Sequence, residues 1–132
     1  MAERLIYEIR QGFKIAVISD LTQKELEGAP VEVKKIYESL PSETVKCVSL
    51  TGEAEKLAEY YLGERVVGPK HLADAQHIAI AAVARVDILA SWNFKHIVNL
   101  ERIHAFNAVN LKMGYPILEI RSPREVLSGK EI

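Results

Sequence analysis

Ile15-Ala16-Val17-Ile18 is a short, unbroken apolar run that is rich in β-branched residues. A run of this kind is typical of a strand that is covered on both faces, as the strands of parallel sheets are. Three more short segments of strand character follow along the chain, at residues 45–48, 87–91 and 117–120. The sequence therefore predicts four short strands.

Helical patterns separate the four predicted strands. Residues 2–11 place Leu5, Ile6 and Ile9 at helical spacing, and Gly12 follows them as a stop signal. Further helices are expected at about residues 23–28, 30–40, 51–63, 71–85 and 103–113. Because strands alternate with helices throughout, the pattern predicts the α/β class. We expect a three-layer α/β/α fold with a mainly parallel sheet and helices on both of its faces.

Length, charge and cysteine content limit the kinds of protein that this chain can be. Its 132 residues suit a single domain over residues 1–132. The 17 basic and 18 acidic residues give a formal charge of -1, which is too small for a global field that would hold polyanions. Cys47 is the only cysteine, and no apolar run has the length of a membrane span. A soluble protein of the reducing cytoplasm, with no membrane partner, is therefore expected.

The sequence lacks several signatures of nucleotide-binding and hydrolase sites. None of the seven glycines lies in a dinucleotide-binding, P-loop or nucleophile-elbow pattern. His71, Asp74 and His77 recur every three residues, and His96 could add another zinc ligand. Residues six apart on a helix are rotated by about 600°, so His71 and His77 are expected on opposite sides. A zinc site is therefore not favoured.

Three oxygen-bearing side chains gather near one edge of the predicted sheet. Glu25 lies in the helical turns after the first strand, Asp74 opens the apolar central helix, and Asn93 follows the third strand. Ligands of parallel sheets bind beyond the carboxyl ends of the strands, which is where these residues are expected. Each residue also has an ordinary alternative role, Asp74 as a helix cap or dipole partner and the other two as surface or turn residues.

Two stretches of the chain resemble a PIN domain, the family also called PilT N-terminus. The second half of the family's domain is similar to Asp74-Ala75-Gln76-His77-Ile78-Ala79 followed by residues 86–97, Val-Asp-Ile-Leu-Ala-Ser-Trp-Asn-Phe-Lys-His-Ile. Residues 18–26 are similar to its second strand and the helix that carries its acidic residue, and the whole resemblance spans about residues 15–123. PIN domains are metal-dependent ribonucleases, and many are toxins of the VapC type that a cognate antitoxin holds inactive.

The resemblance implies a role for particular residues of this chain. It implies a catalytic site for Mg²⁺ or Mn²⁺ whose ligands come from Glu25, Asp74 and Asn93, with Asn93 acting through water where many members have aspartate. It also implies contacts to RNA or to bound water from Ser19, Lys95 and His96. On this reading the metal ion activates water and neutralises charge on a phosphodiester.

The chain departs from the PIN pattern at its beginning. Family members start with a strand that contains an aspartate, and this sequence has no such segment before its first helix. The domain is therefore expected to be N-terminally incomplete, whether as a fragment, a late-start product or a rearranged dimer. In the family that strand lies mid-sheet, so the strands at residues 15–18 and 87–91 are expected to lose a shared neighbour. Their unpaired backbone groups would be costly unless the strands close together, another chain fills the gap, or the sheet is remodelled.

Two functions follow from the sequence as hypotheses. The first is a metal-dependent endoribonuclease of the PIN/VapC toxin type, with RNA as substrate and an antitoxin as a possible partner. The alternative is a non-catalytic or truncated PIN-like protein that acts as a binding or assembly module. An unrelated α/β domain also stays open. A homodimer is expected in either case, because the helices at residues 2–11 and 31–40 carry apolar stripes.

Overall fold

The structure, a computed structural model, describes residues 2–90 and 97–122. The chain divides into two units, Met1–Ser49 and Leu50–Ile132, which are described in turn. Residue 1 and residues 91–96 and 123–132 lie outside the described part, as does a final turn that the sequence pattern predicts at about residues 123–127. In the part that is described, no helix is long and apolar enough to cross a membrane.

The first unit contains one pair of strands. Its elements, in chain order, are α1 (Ala2–Arg10), β1 (Ala16–Ser19), α2 (Asp20–Glu27), α3 (Val31–Glu38), a 3-10 turn (Ser42–Thr44) and β2 (Val45–Val48). Strands β1 and β2 run parallel, with Ala16 opposite Val45 and Ser19 opposite Val48. Helices α2 and α3 thus form the crossover between two parallel neighbours, as parallel pairing requires.

The second unit also contains one pair of strands, with one helix between them instead of two. Its elements are α4 (Gly52–Gly63), a 3-10 turn (Pro69–His71), α5 (Leu72–Val83), β3 (Ile88–Ala90), α6 (Leu100–Lys112) and β4 (Glu119–Arg121). Strands β3 and β4 are again parallel, with Ile88 opposite Glu119 and Ala90 opposite Arg121. Parallel pairing and the α/β alternation of the sequence are therefore confirmed.

The four described strands form two separate two-stranded sheets, with the orders β1-β2 and β3-β4. The sequence pattern predicted one sheet in which the strands at residues 15–18 and 87–91 lose a shared neighbour, and the structure has these two strands, β1 and β3, in different sheets. Apolar periodicity reports which faces of a strand are covered, whereas strand order depends on partners that lie far away in sequence. The three-layer PIN-like arrangement stays a prediction.

Side-chain caps set the first residues of three helices. The Ser19 hydroxyl accepts the Thr22 N–H at 3.0 Å, and the Thr51 hydroxyl accepts the Ala54 N–H at 3.1 Å. The Asn99 side-chain oxygen accepts the Arg102 N–H at 3.2 Å. Because these caps satisfy backbone donors, α2 begins at Asp20 and α6 at Leu100, earlier than the predicted residues 23 and 103.

Four helices end on a residue with left-handed backbone geometry. Gly12 and Gly114 have φ of 82° and 90°, while Arg65 and Arg85 have φ of 60° and 56°. In each case the next residue donates its N–H five residues back, as Phe13 does to the Glu8 carbonyl at 2.9 Å. The predicted stop at Gly12 is confirmed, because glycine adopts this conformation without a Cβ penalty.

Buried apolar side chains are distributed unequally between the units. The second unit has a continuous set from α4, α5, α6 and β4, including Tyr61, Ile78, Phe106 and Ile120, each fully buried. In the described part of the first unit, Ile9 is the buried apolar residue, at 8% exposed. Since burial of apolar area is the main term favouring folding, the second unit holds most of that stabilisation.

A chain of buried polar groups crosses the second unit. The Tyr61 hydroxyl donates to Asn110 Oδ1, and Asn110 Nδ2 donates to Asn107 Oδ1 at 3.1 Å. Asn107 in turn accepts the Leu118 N–H at 2.8 Å and donates to the Leu118 carbonyl at 3.0 Å. This chain links α4 through α6 to the segment that becomes β4. Burial raises the pKa of the Tyr61 hydroxyl, which therefore stays a donor over the working pH range.

Replacing Tyr61 by phenylalanine tests this polar chain. Tyr61→Phe leaves the buried Asn110 oxygen without its hydroxyl donor, so we expect a loss of about 1–2 kcal/mol in the free energy of unfolding. Urea denaturation followed by circular dichroism measures the loss. Tyr60→Phe, at a neighbouring tyrosine that is 48% exposed, is the matched control and is expected to have little effect. Equal midpoints for the two variants would contradict this role of Tyr61.

Candidate metal and RNA site

Asp74 lies at the border between the core of the second unit and solvent. It is in the first turn of α5, and its side chain is 23% exposed. Ala75, Ile78 and Ala79 of the same helix are fully buried. The apolar residues fix the orientation of α5 in the core, so the Asp74 carboxylate is held at the surface by a rigid element rather than by a loop.

His71 is the polar neighbour of Asp74. It directly precedes α5, and its Nδ1 lies 3.6 Å from Asp74 Oδ2, with the imidazole 22% exposed. This separation is too long for a hydrogen bond, although a protonated imidazole would attract the carboxylate. The zinc pattern was not favoured, but its first two residues, which are three positions apart in the chain, do lie close together. His77 lies further along α5 and is partly exposed.

The position of Asp74 relative to β3 follows from the topology of the second unit. Helix α5 leads through a short turn into β3, so the first turn of the helix and the carboxyl end of the strand are expected at the same end. Ligands of α/β folds bind at this end. Asn93, Lys95 and His96 follow β3 in the sequence and lie outside the described residues. Their predicted roles stay predictions.

The first unit contributes two of the predicted site residues. Ser19 is 6% exposed, and its hydroxyl caps α2 and lies 3.1 Å from the Thr22 hydroxyl. The structure thus gives Ser19 a local structural role, and its contact to RNA stays a prediction. Glu25 is exposed in the second half of α2, which begins at Asp20. Ser19 and Glu25 therefore belong to one unit and Asp74 to the other.

The donor chemistry of Asp74 suits one ligand of a divalent cation. Its partly exposed carboxylate offers the hard oxygen atoms that Mg²⁺ and Mn²⁺ prefer. Across residues 2–90 and 97–122, no group of three or more His, Cys, Asp or Glu side chains is placed to hold a metal ion. Among the described residues, Asp74 thus suits one ligand of a metal ion. The other ligands are proposed below.

A second ionisable cluster, which the sequence did not indicate, lies near the start of α4. The Tyr115 hydroxyl donates to the Glu53 carboxylate, and the two residues are 62 positions apart in the chain. This hydrogen bond is the main cause that raises the pKa of Tyr115 to about 12, and the Arg85 guanidinium opposes it. The pair ties the segment after α6 to the first turn of α4.

The Tyr115–Glu53 pair makes a prediction about alkaline titration. Because the pKa of Tyr115 is higher in the folded chain than its ordinary value, its contribution to stability is complete below about pH 10 and is lost as pH rises towards 12. The absorbance difference at phenolate wavelengths between the wild type and Tyr115→Phe isolates this group, and Glu53→Gln should lower its midpoint. A Tyr115 midpoint that Glu53→Gln leaves unchanged would contradict the assignment.

Comparison with protein families, with curated proteins and with solved structures finds no match to this chain. The resemblance to PIN domains therefore depends on the residues quoted from the sequence.

Proposed function

We propose that this chain is a metal-dependent endoribonuclease of the PIN/VapC toxin type that cleaves RNA phosphodiester bonds. The placement of Asp74 carries the proposal. It is the acidic residue of a helix whose residues are mostly apolar, it lies in the first turn, and its carboxylate is partly open to solvent. A carboxylate held there by a buried helix suits a preorganised cation ligand.

The proposed division of roles follows the chemistry of each side chain. Asp74 would hold Mg²⁺ or Mn²⁺ through its carboxylate oxygens, and Asn93 would orient a water ligand, while Glu25 stays a ligand predicted from the sequence. The bound cation would supply an activated water and neutralise negative charge on the phosphate. Lys95 and His96 would bind RNA phosphates, and Ser19 would donate a hydrogen bond to water or phosphate.

A second candidate function is supported by the surface of the first unit. Seven large apolar residues in the described part of this unit are exposed, among them Phe13 and Ile15 at 67% and 65% and Val31 at 62%. Where exposed apolar residues form a contiguous patch, they mark a protein-binding surface. A non-catalytic or truncated PIN-like binding module, with an antitoxin or a second copy as partner, is therefore the alternative to the nuclease. Both proposals place the protein in the cytoplasm.

The substitution Asp74→Asn tests the nuclease directly. It keeps the shape of the side chain but removes the charge that would bind the cation. We expect Mn²⁺-dependent cleavage of a mixed structured RNA to fall by roughly 100-fold or more, since even residues that merely orient a metal ligand cost up to that factor. Cleavage is followed on denaturing gels with the purified 132-residue chain.

Glu101→Gln is the matched control for Asp74→Asn. Glu101 is also an acidic residue in the first turn of a helix, α6, and it is exposed. Its substitution removes the same charge from an equivalent helix position and should leave cleavage unchanged. Equal activity of the wild type and Asp74→Asn would refute the proposed role of Asp74. Absence of cleavage in the wild type at high concentration would favour the binding module.

A further inference from the structure

The two strands of each sheet differ in charge. Strand β2 carries the exposed Lys46, and strand β4 carries Glu119 and Arg121, which form an ion pair at 2.7 Å. Strands β1 (Ala-Val-Ile-Ser) and β3 (Ile-Leu-Ala) carry no charged residue and no proline. The same asymmetry thus occurs in both units.

Charged side chains are one of the ways in which proteins protect the open edge of a sheet from pairing with other chains. Strand β4 shows a direct form of this protection, because the Arg121 guanidinium donates to the Ile120 carbonyl of its own strand at 2.8 Å. By this criterion β2 and β4 are built as outer strands. Strands β1 and β3 have the composition of inner strands, which have a neighbour on each side.

Each uncharged strand nevertheless pairs with one strand only, as far as the described residues go. Val17 of β1 is 37% exposed, Ile15 just before it is 65% exposed, and Ile88 of β3 is 44% exposed. Parallel strands are normally covered on both faces, and an isolated sheet of two strands has only marginal stability in water. The exposed apolar residues and the unprotected strand therefore occur together in each unit.

We propose that the open edge of β1 binds an additional strand, supplied by a partner polypeptide as an extended, uncharged segment rich in β-branched residues. Main-chain hydrogen bonds along the edge would hold it, and its side chains would cover Val17 and Ile15. Because β1 carries no charge, an uncharged segment is favoured as its partner. A charged segment would lose hydration against an apolar strand without gaining an ion pair. This binding is independent of the proposed RNA cleavage.

A peptide probe tests the proposal. The probe has five central residues that alternate valine and isoleucine, a fluorescent label, and a polyethylene glycol tail in place of charges. A control peptide carries N-methyl groups on its central amides, which removes their hydrogen-bond donors. We expect saturable binding of the probe by fluorescence anisotropy and roughly tenfold weaker binding of the control.

Two charge substitutions locate the binding on β1. Val17→Glu puts a charge on the proposed edge strand, while the opposite residue Lys46 can pair with it and preserve the β1–β2 sheet. Lys46→Glu puts the same charge on β2. We expect Val17→Glu to weaken probe binding roughly tenfold and Lys46→Glu to leave it within about twofold.

Hydrogen exchange of the wild-type chain provides a test that does not depend on any variant. The bound probe should slow exchange of the amides of Ala16–Ser19 and leave those of Val45–Val48 unchanged. Absent binding, or protection elsewhere, would overturn the proposal. Sedimentation showing that the chain dimerises, and that Val17→Glu dissociates the dimer, would assign the edge to a second copy and overturn a separate partner.

Discussion

The second unit depends on the side chain of Asn107. Its amide oxygen accepts the Leu118 N–H and its amide nitrogen donates to the Leu118 carbonyl, so it pairs with this residue as a neighbouring strand would. Asn110 and Tyr61 extend the contact to α4. These hydrogen bonds hold the residue before β4 against α6, so that β4 can pair in register with β3. Buried polar groups of this kind specify one arrangement because each alternative leaves some of them unpaired.

The contrast between the units connects stability with function. Helices α4, α5 and α6 of the second unit bury their apolar faces together, which makes a rigid support for Asp74. The first unit buries Ile9 among its described apolar residues and exposes several larger ones. A unit of 49 residues with so little buried apolar surface gains little stabilisation from its own core, and a bound partner of the proposed kind would add to it. Both the assembly alternative and the proposed strand acceptor at β1 follow from this contrast.

Local features of the fold could be predicted from the sequence, while contacts between distant residues could not. Strand 45–48 and the stop at Gly12 were predicted because apolar runs and glycine act within a few residues. The lost neighbour between the strands at 15–18 and 87–91 was expected from the resemblance, but which strands pair could not be derived from apolar runs, because strand order is set by distant partners. Asn107 and Asn110 were missed because an asparagine in a helix is usually a surface residue. Of the candidate site, the position of Asp74 at the start of a buried helix was predicted, and Asn93 lies outside the described residues.

Paramagnetic NMR with Mn²⁺ tests most directly whether Asp74 is a metal ligand. Substoichiometric Mn²⁺ added to the ¹⁵N-labelled chain broadens amide signals close to the bound ion, independently of any RNA. If Asp74 is a ligand, the amides around it broaden first, and Asp74→Asn abolishes this effect. Equal broadening around Glu101 and other surface carboxylates, with no preference for Asp74, would contradict this role.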